Sequence, residues 1–212
     1  MKQIIVSIIL FCAVQIYGQD VEFLNLGGFL SLGTEENRTA SITLFDIDKD
    51  GDLDALVANG RHWAEQNFIF FNNGEGVFKT AMPLGRLRDA SYAVGAGDFN
   101  GDGFNDIAVV NDNAPNKIYW GDGDLRFEKE SSFGNPLSPS RNLTVADIDK
   151  DGDLDLIISN RQAVNEICFN DGKGNFENIR HFGEEKNQTI EIEVADINKD
   201  GFLDLITAER QA

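Results

Sequence analysis

The sequence predicts an all-β protein, a β-propeller built of four-stranded blades of about 50 residues in an incomplete ring. Three observations support this fold class. A nine-residue acidic turn recurs four times, each copy lies between two strand-like segments, and residues 19–212 show no helical periodicity. A sandwich would not repeat one turn four times, and a parallel β-helix would need much shorter coils.

The first 18 residues have the pattern of a secretory signal peptide. Lys2 precedes an apolar run from Ile4 to Ile16, and the small residue Gly18 precedes a polar pair. A membrane anchor is the alternative, but the run is short for a spanning helix and no basic residues follow it. We therefore expect residues 19–212 to be secreted, periplasmic or on the cell surface, with no membrane span after signal cleavage.

The composition limits which partners the protein can bind and which interactions can stabilise its fold. The chain has 212 residues, 42% of them hydrophobic, and a formal net charge of −18. This charge argues against nucleic acid or an anionic membrane as the main partner and favours bound cations. Without the signal, Cys168 is the single thiol, so no intrachain disulfide can form. Cys168 aligns with Phe70 and Tyr119 in the repeats, which predicts a buried filler and not a nucleophile.

The acidic turns set the period of the repeat, because their first Asp residues lie 52, 49 and 49 positions apart. We number them acidic turn 1 (46–54, "DIDKDGDLD"), turn 2 (98–106, "DFNGDGFND"), turn 3 (147–155, "DIDKDGDLD") and turn 4 (196–204, "DINKDGFLD"). The repeats place blades near 40–88, 89–138 and 139–185, with a partial blade at 186–212.

Four strands are expected in each complete blade. Before each acidic turn apolar residues alternate with others, as Ile190, Ile192 and Val194 do, which is typical of a half-exposed strand. After each turn comes a short apolar run ("ALVA", "IAVV", "LIIS", "LITA"), which suits a strand covered on both faces. A third strand starts at an Asn, and the fourth is expected at 77–82, 126–131 and 175–180.

Both ends of the chain bear on ring closure. Residues 21–30 resemble a fourth strand, and the chain ends where the third strand of the fourth blade would begin. We therefore expect a piece of a longer propeller, with a compact four-bladed ring as the alternative.

The acidic turns have the spacing of a calcium loop. Oxygen-bearing side chains at positions 1, 3, 5 and 9, a backbone carbonyl at position 7 and Gly at position 6 would surround a hard cation that takes six to eight oxygens. An EF-hand would need Glu at position 12 and a following helix, but Val57, Val109, Ile158 and Thr207 stand there. The many flexible ligands favour Ca²⁺ over Mg²⁺, and simple turn formation is the competing interpretation. The predicted metal residues are Asp46, Asp48, Asp50, Asp52, Asp54, Asp98, Asn100, Asp102, Phe104, Asp106, Asp147, Asp149, Asp151, Asp153, Asp155, Asp196, Asn198, Asp200, Phe202 and Asp204.

These repeats resemble FG-GAP or VCBS repeats, the calcium-binding blades of integrin-alpha-like propellers. The similarity covers about residues 21–212 and is clearest at "YAVGAGDFNGDGFNDIAVVNDNAP", residues 92–115. Asn113-Ala114-Pro115 resembles the Gly-Ala-Pro half of the motif, and Phe133-Gly134 the Phe-Gly half. The other blades lack Gly-Ala-Pro, so bacterial secreted VCBS-type proteins are a better match than integrins. The resemblance implies an extracellular or periplasmic propeller that binds calcium and serves in adhesion or ligand binding.

A candidate ligand site lies in the loop after the second strand of the first blade. Arg61, His62, Trp63 and Glu65 cluster there, and an indole can stack on a sugar ring while charged groups bond its hydroxyls. Trp63 packed on the blade edge is the alternative.

We expect a non-catalytic module that binds an extracellular protein or glycan. The sequence has two His residues and no G-x-S-x-G motif, and calcium accounts for its paired acids. Two alternatives remain. The chain could be the N-terminal part of a propeller enzyme that acts on polysaccharide, or it could be a structural spacer in a larger surface protein.

Overall fold

A computed structural model describes residue 32, residues 36–78 and residues 80–210. The predicted signal peptide and the strand expected at 21–30 lie outside these residues. The described chain contains fourteen β-strands and no helix, which confirms the predicted all-β class. Within the same residues, no helix is long and apolar enough to cross a membrane.

The strands form four antiparallel sheets in chain order. The first sheet contains β1 (Thr39–Phe45), β2 (Asp54–Asn59), β3 (Glu65–Phe71) and β4 (Thr80–Asp89). The second contains β5 (Ser91–Gly97), β6 (Asp106–Asn111), β7 (Asn116–Trp120) and β8 (Lys129–Phe133). The third contains β9 (Ser140–Ala146), β10 (Asp155–Asn160), β11 (Asn165–Phe169) and β12 (Asn178–Phe182). The fourth pairs β13 (Thr189–Ala195) with β14 (Asp204–Glu209). These sheets have the form of propeller blades.

Each acidic turn joins the first and second strands of its sheet. The antiparallel register brings the two sides of the turn together, as in the pairing of Phe45 with Asp54. The loops after β2, β6 and β10 lie at the opposite end of the sheets, because neighbouring strands run in opposite directions.

The fourth strands begin three residues later than the sequence predicted, at Thr80, Lys129 and Asn178. The residues before them form turns held by side-chain oxygens. Asn73 Oδ1, for example, accepts bonds from the backbone N–H groups of Glu75 and Val77, 3.1 and 3.2 Å long. An Asx turn of this kind competes with strand pairing, and hydrophobicity alone does not reveal it.

The core lies between successive sheets. Leu56 and Ile69 of the first sheet pack with Ile107, Val109 and Tyr119 of the second. A second cluster joins the second and third sheets, and a third joins the third and fourth. The middle strands β2, β6 and β10 are buried along their whole length, as their apolar runs predict. The first strands also contact each other between sheets, where Thr43 Oγ1 donates to the Val94 carbonyl over 2.7 Å.

The described sheets do not close a ring. Ile42 and Leu44 in β1 are 52% and 57% exposed, whereas the equivalent Val94 and Ala96 in β5 are buried. The first sheet covers Val94 and Ala96, and no described sheet covers β1 in the same way. At the other end Ile206 of β14 is 48% exposed, although its counterparts in β2, β6 and β10 are buried.

Candidate metal centres and the opposite loops

Acidic turn 1 gathers carboxylates at the end of β1 and the start of β2. Asp46, Asp48 and Asp54 each offer an oxygen, and these atoms lie within 4.8 Å of one another. Gly51 has φ +98°, a left-handed conformation that strains other residues and allows the bend at position 6. The turn therefore directs several oxygens at one point.

Acidic turn 3 repeats this arrangement with Asp147, Asp149 and Asp151, again within 4.8 Å. Its glycine, Gly152, has φ +100°. The third carboxylate differs between the two turns: position 9 in turn 1 and position 5 in turn 3. Both sets fall on residues that the sequence predicted as metal ligands.

The donor set of turns 1 and 3 fits a hard cation. Asp46 Oδ2 accepts the backbone N–H of Gly51 over 3.1 Å, and Asp147 Oδ2 accepts that of Gly152 over 3.0 Å. The other oxygen of each carboxylate, Oδ1, is buried without a hydrogen-bond partner. A buried carboxylate oxygen is costly unless something compensates it, and a cation supplies that compensation.

The position-9 aspartates have a hydrogen-bonding function that the sequence did not reveal. Both oxygens of Asp155 accept backbone N–H groups, from Ile148 over 3.0 Å and from Asn170 over 2.8 Å. Asp54 and Asp106 make the corresponding bonds. These three carboxylates tie acidic turns 1 to 3 to the next turn of their own sheets. Burial raises the pKa of Asp106 to about 6, although its two backbone hydrogen bonds act in the opposite direction.

The side chains at position 7 lie against a glycine in the outer turn of their own sheet. Asp153 abuts Gly172, and the Phe104 ring abuts Gly123, where a Cβ atom would lie 2.6 Å from the ring. This position was predicted to offer its backbone carbonyl, and directing the side chain toward the outer turn is consistent with that function.

Turns 2 and 4 carry Asn at position 3, and this amide already bonds within the turn. Asn100 Nδ2 donates to Asp102 Oδ2 over 3.0 Å, and Asn198 Nδ2 donates to Asp200 Oδ2 over 2.9 Å. Each of these turns has three aspartates where turns 1 and 3 have five. The four turns thus fall into two classes by charge.

The loop after β2 carries Arg61, His62 and Trp63 at the end opposite the acidic turns, and Glu65 is the first residue of β3. Trp63 is 62% exposed, and the Arg38 guanidinium lies 5.3 Å from the centre of its ring. Glu65 Oε2 accepts the backbone N–H of Arg38 over 2.6 Å. Arg61 is exposed. Sequence reasoning missed Arg38, because it precedes β1 and reaches the loop only through the fold.

His62 connects this loop to the second sheet. Its Nδ1 lies 2.9 Å from the Tyr92 hydroxyl, and φ is +76° at His62. The Arg141 guanidinium stacks 4.1 Å from the Tyr92 ring and pairs with Asp112 over 2.9 Å. His62 is therefore held by Tyr92 of the second sheet, and Arg141 of the third sheet packs on Tyr92 in turn.

Comparison with known proteins gives the family of the repeats. The model of the FG-GAP-like repeat matches residues 46–109, 98–158 and 147–207, so the matches span all four acidic turns. None of the curated proteins matches this chain. FG-GAP-like repeats suggest an integrin-like β-propeller module, generally non-catalytic and often calcium-binding. Because the matched repeats cover most of the sequence, the chain belongs to the FG-GAP-like repeat family.

Proposed function

We propose that this chain is a secreted, non-catalytic propeller module that Ca²⁺ stabilises and that binds an extracellular protein or glycan, as in adhesion. The observation that carries the calcium assignment is the unpartnered, buried Oδ1 atom of Asp46 and of Asp147. Each belongs to a cluster of three carboxylates whose mutual repulsion a divalent cation would relieve. The net charge of −18 supports the same conclusion.

Thermal unfolding of residues 19–212 tests the calcium assignment. In chelator the melting temperature should fall, because a ligand that binds only the folded state stabilises it by mass action. Added Ca²⁺ should restore the melting temperature more effectively than Mg²⁺, which dehydrates reluctantly. The matched control is the double variant Asp46→Ala/Asp147→Ala. In this variant, Ca²⁺ should raise the melting temperature by less than it does in the wild type. An identical melting curve with and without chelator would show that the acidic turns are only turns.

The ligand site is proposed at the loop after β2, with Arg61, His62, Trp63 and Glu65 as contact residues. Support comes from the exposed Trp63 indole, held beside Arg38, and from the loop's own hydrogen bonding. The backbone N–H of Trp63 donates to the Gly60 carbonyl over 2.8 Å, which holds the loop in a turn. An ordered aromatic side chain loses little entropy on binding.

Binding of residues 19–212 to an immobilised oligosaccharide array, in calcium buffer, tests this site. A glycan ligand should lose at least about tenfold in affinity with Trp63→Ala, since stacking and burial of the indole contribute more than about 1.4 kcal/mol. Leu137→Ala, which shortens another exposed apolar side chain, is the control. Equal glycan binding by the wild type and by Trp63→Ala would contradict the assignment of this site. If the wild type binds no oligosaccharide on the array, the proposed ligand is a protein.

A further inference from the structure

The acidic turns of neighbouring sheets are joined by direct hydrogen bonds. Position 8 is Leu in turns 1, 3 and 4 but Asn105 in turn 2. Asn105 Nδ2 donates to the backbone carbonyl of Asp46 over 2.9 Å. The carboxamide of turn 2 therefore holds the backbone of the first predicted ligand of turn 1.

A second bond runs in the reverse direction. Lys49, at position 4 of turn 1, donates from Nζ to the Gly103 carbonyl over 2.5 Å. Gly103 is the bend residue of turn 2 and lies between Asp102 and Phe104. Each turn thus supplies one side chain that bonds the backbone of the other.

The next pair of sheets is joined through a different residue. There Leu154 occupies position 8 of turn 3 and packs on Gly97 of the second sheet. Asn170 in the outer turn supplies the amide, and its Nδ2 donates to the Phe99 carbonyl of turn 2 over 2.8 Å. Gly101 replaces the lysine at position 4 of turn 2.

Between turns 3 and 4, Lys150 lies over the Phe202 ring at 5.1 Å, but position 8 of turn 4 is Leu203. Among the four described turns, the two-way hydrogen bonding of Asn105 and Lys49 is therefore found only between turns 1 and 2.

We propose that calcium binding at acidic turns 1 and 2 is energetically coupled, with Asn105 and Lys49 as the positioning residues that transmit the coupling. Asn105 stands between the carbonyl of position 7 and the carboxylate of position 9 in turn 2. An ion that orders turn 2 orders Asn105 and, through it, the Asp46 backbone. The effect is reciprocal, because each ion changes the affinity of the other by the same factor. This coupling rests on the calcium binding proposed above.

Luminescence of Tb³⁺, a stand-in for Ca²⁺, offers a readout at turn 2. Trp120 lines the same surface cavity as Asn100 and Asp102, so its indole can sensitise an ion bound in that turn. Terbium affinity is measured for residues 19–212 and for Asp46→Ala/Asp48→Ala, which disables turn 1. We expect the loss of turn 1 to weaken terbium binding at turn 2 by about fivefold or more, the lower end of common coupling factors.

Terbium affinity, with and without the Asp46→Ala/Asp48→Ala change, is then measured in two further variants of the protein, which serve as backgrounds. Asn105→Leu installs the residue that the other turns carry, and Lys49→Ala removes the exposed lysine, so one background remains usable if the other does not fold. In either background, disabling turn 1 should leave the affinity of turn 2 unchanged within about twofold, as a double-mutant cycle requires for broken coupling. Lys199→Ala, which removes the corresponding lysine of turn 4, should preserve the full effect.

Two results would overturn the coupling: no change at turn 2 when turn 1 is disabled, or a change that persists in both backgrounds. Failure of the calcium assignment is distinguishable, since wild-type protein would then give no sensitised luminescence at all. Terbium binding without coupling would contradict the coupling alone.

Discussion

At the scale of single residues, the aspartates of one acidic turn divide into two functional groups. Those at positions 1, 3 and 5 mainly face each other and solvent, whereas the position-9 carboxylate is buried and accepts two backbone N–H groups. The carboxylates at positions 3 and 5 should matter mainly when calcium is present. The position-9 carboxylate should also matter in the calcium-free protein.

A comparison of Asp155→Ala with Asp149→Ala separates these groups. In chelator, Asp155→Ala should lower the free energy of unfolding by about 2–4 kcal/mol, because it leaves two buried N–H groups without an acceptor. Asp149 is exposed and bonds only the nearby backbone of Asp151, so its removal should change stability by less than about 0.5 kcal/mol. Urea denaturation gives both values. Equal effects of the two variants would contradict the division.

Cys168 allows a second test at this scale. Its side chain is fully buried, as its place in the repeat predicts, and burial raises the pKa of the thiol to about 12. The thiol should therefore stay neutral and unreactive at pH 8 in folded protein and react at once in denaturant. Ellman's reagent on residues 19–212, with Cys168→Ser as the blank, measures this difference. Rapid reaction in native buffer would show that β11 opens locally.

At the scale of the turn, charge separates two kinds of calcium site. Turns 1 and 3 place a carboxylate at every liganding side-chain position, while turns 2 and 4 use Asn at position 3. That amide is bonded to the position-5 carboxylate and must be released or shared when an ion binds. Both differences should lower the calcium affinity of turns 2 and 4.

Calorimetric titration of single-turn variants tests this ranking. Asp48→Ala should remove one of the tighter sites, and Asp102→Ala should remove one of the weaker sites. Extracellular modules commonly bind calcium in the range of about 10⁻⁴–10⁻³ M, and the weaker class should lie toward the upper end. If both variants lose sites of the same affinity, the ranking by charge is wrong.

At the scale of the molecule, stability arises between sheets, and the two outer sheets leave apolar surface open. Ile42 and Leu44 face outward at one end of the described array, and Ile197 and Ile206 do so at the other. Their counterparts in the inner sheets are mostly buried by the neighbouring sheet. Burying an aliphatic side chain of this size contributes about 1.5–3 kcal/mol, so both faces favour contact with another surface.

Residues 19–212 should therefore self-associate in calcium buffer. Leu44→Glu should reduce the association, because it places a charge in the open apolar face. Leu137→Glu, at a loop residue that is 72% exposed, should leave it unchanged. Light scattering coupled to size exclusion gives the mass of each species. A compact wild-type monomer would contradict this expectation.

The sequence by itself determined the features that repeat. The period of the acidic turns predicted the sheets, and the apolar runs predicted the buried middle strands β2, β6 and β10. The clustering of Asp46 with Asp48, and of Asp147 with Asp149, follows from position in the turn, because a tight turn brings alternate residues to one side. These features are local, so local pattern reveals them.

Only the tertiary structure decided which side chains serve the neighbouring sheet. Ile42 and Val94 occupy the same position of the repeat, yet one is exposed and the other buried, because burial depends on the sheet beyond. The bond from Asn105 to the Asp46 carbonyl spans 59 residues, and Arg38 meets Trp63 across 25 residues of chain. Such contacts depend on how one sheet packs on the next, which the periodicity of a single repeat does not encode.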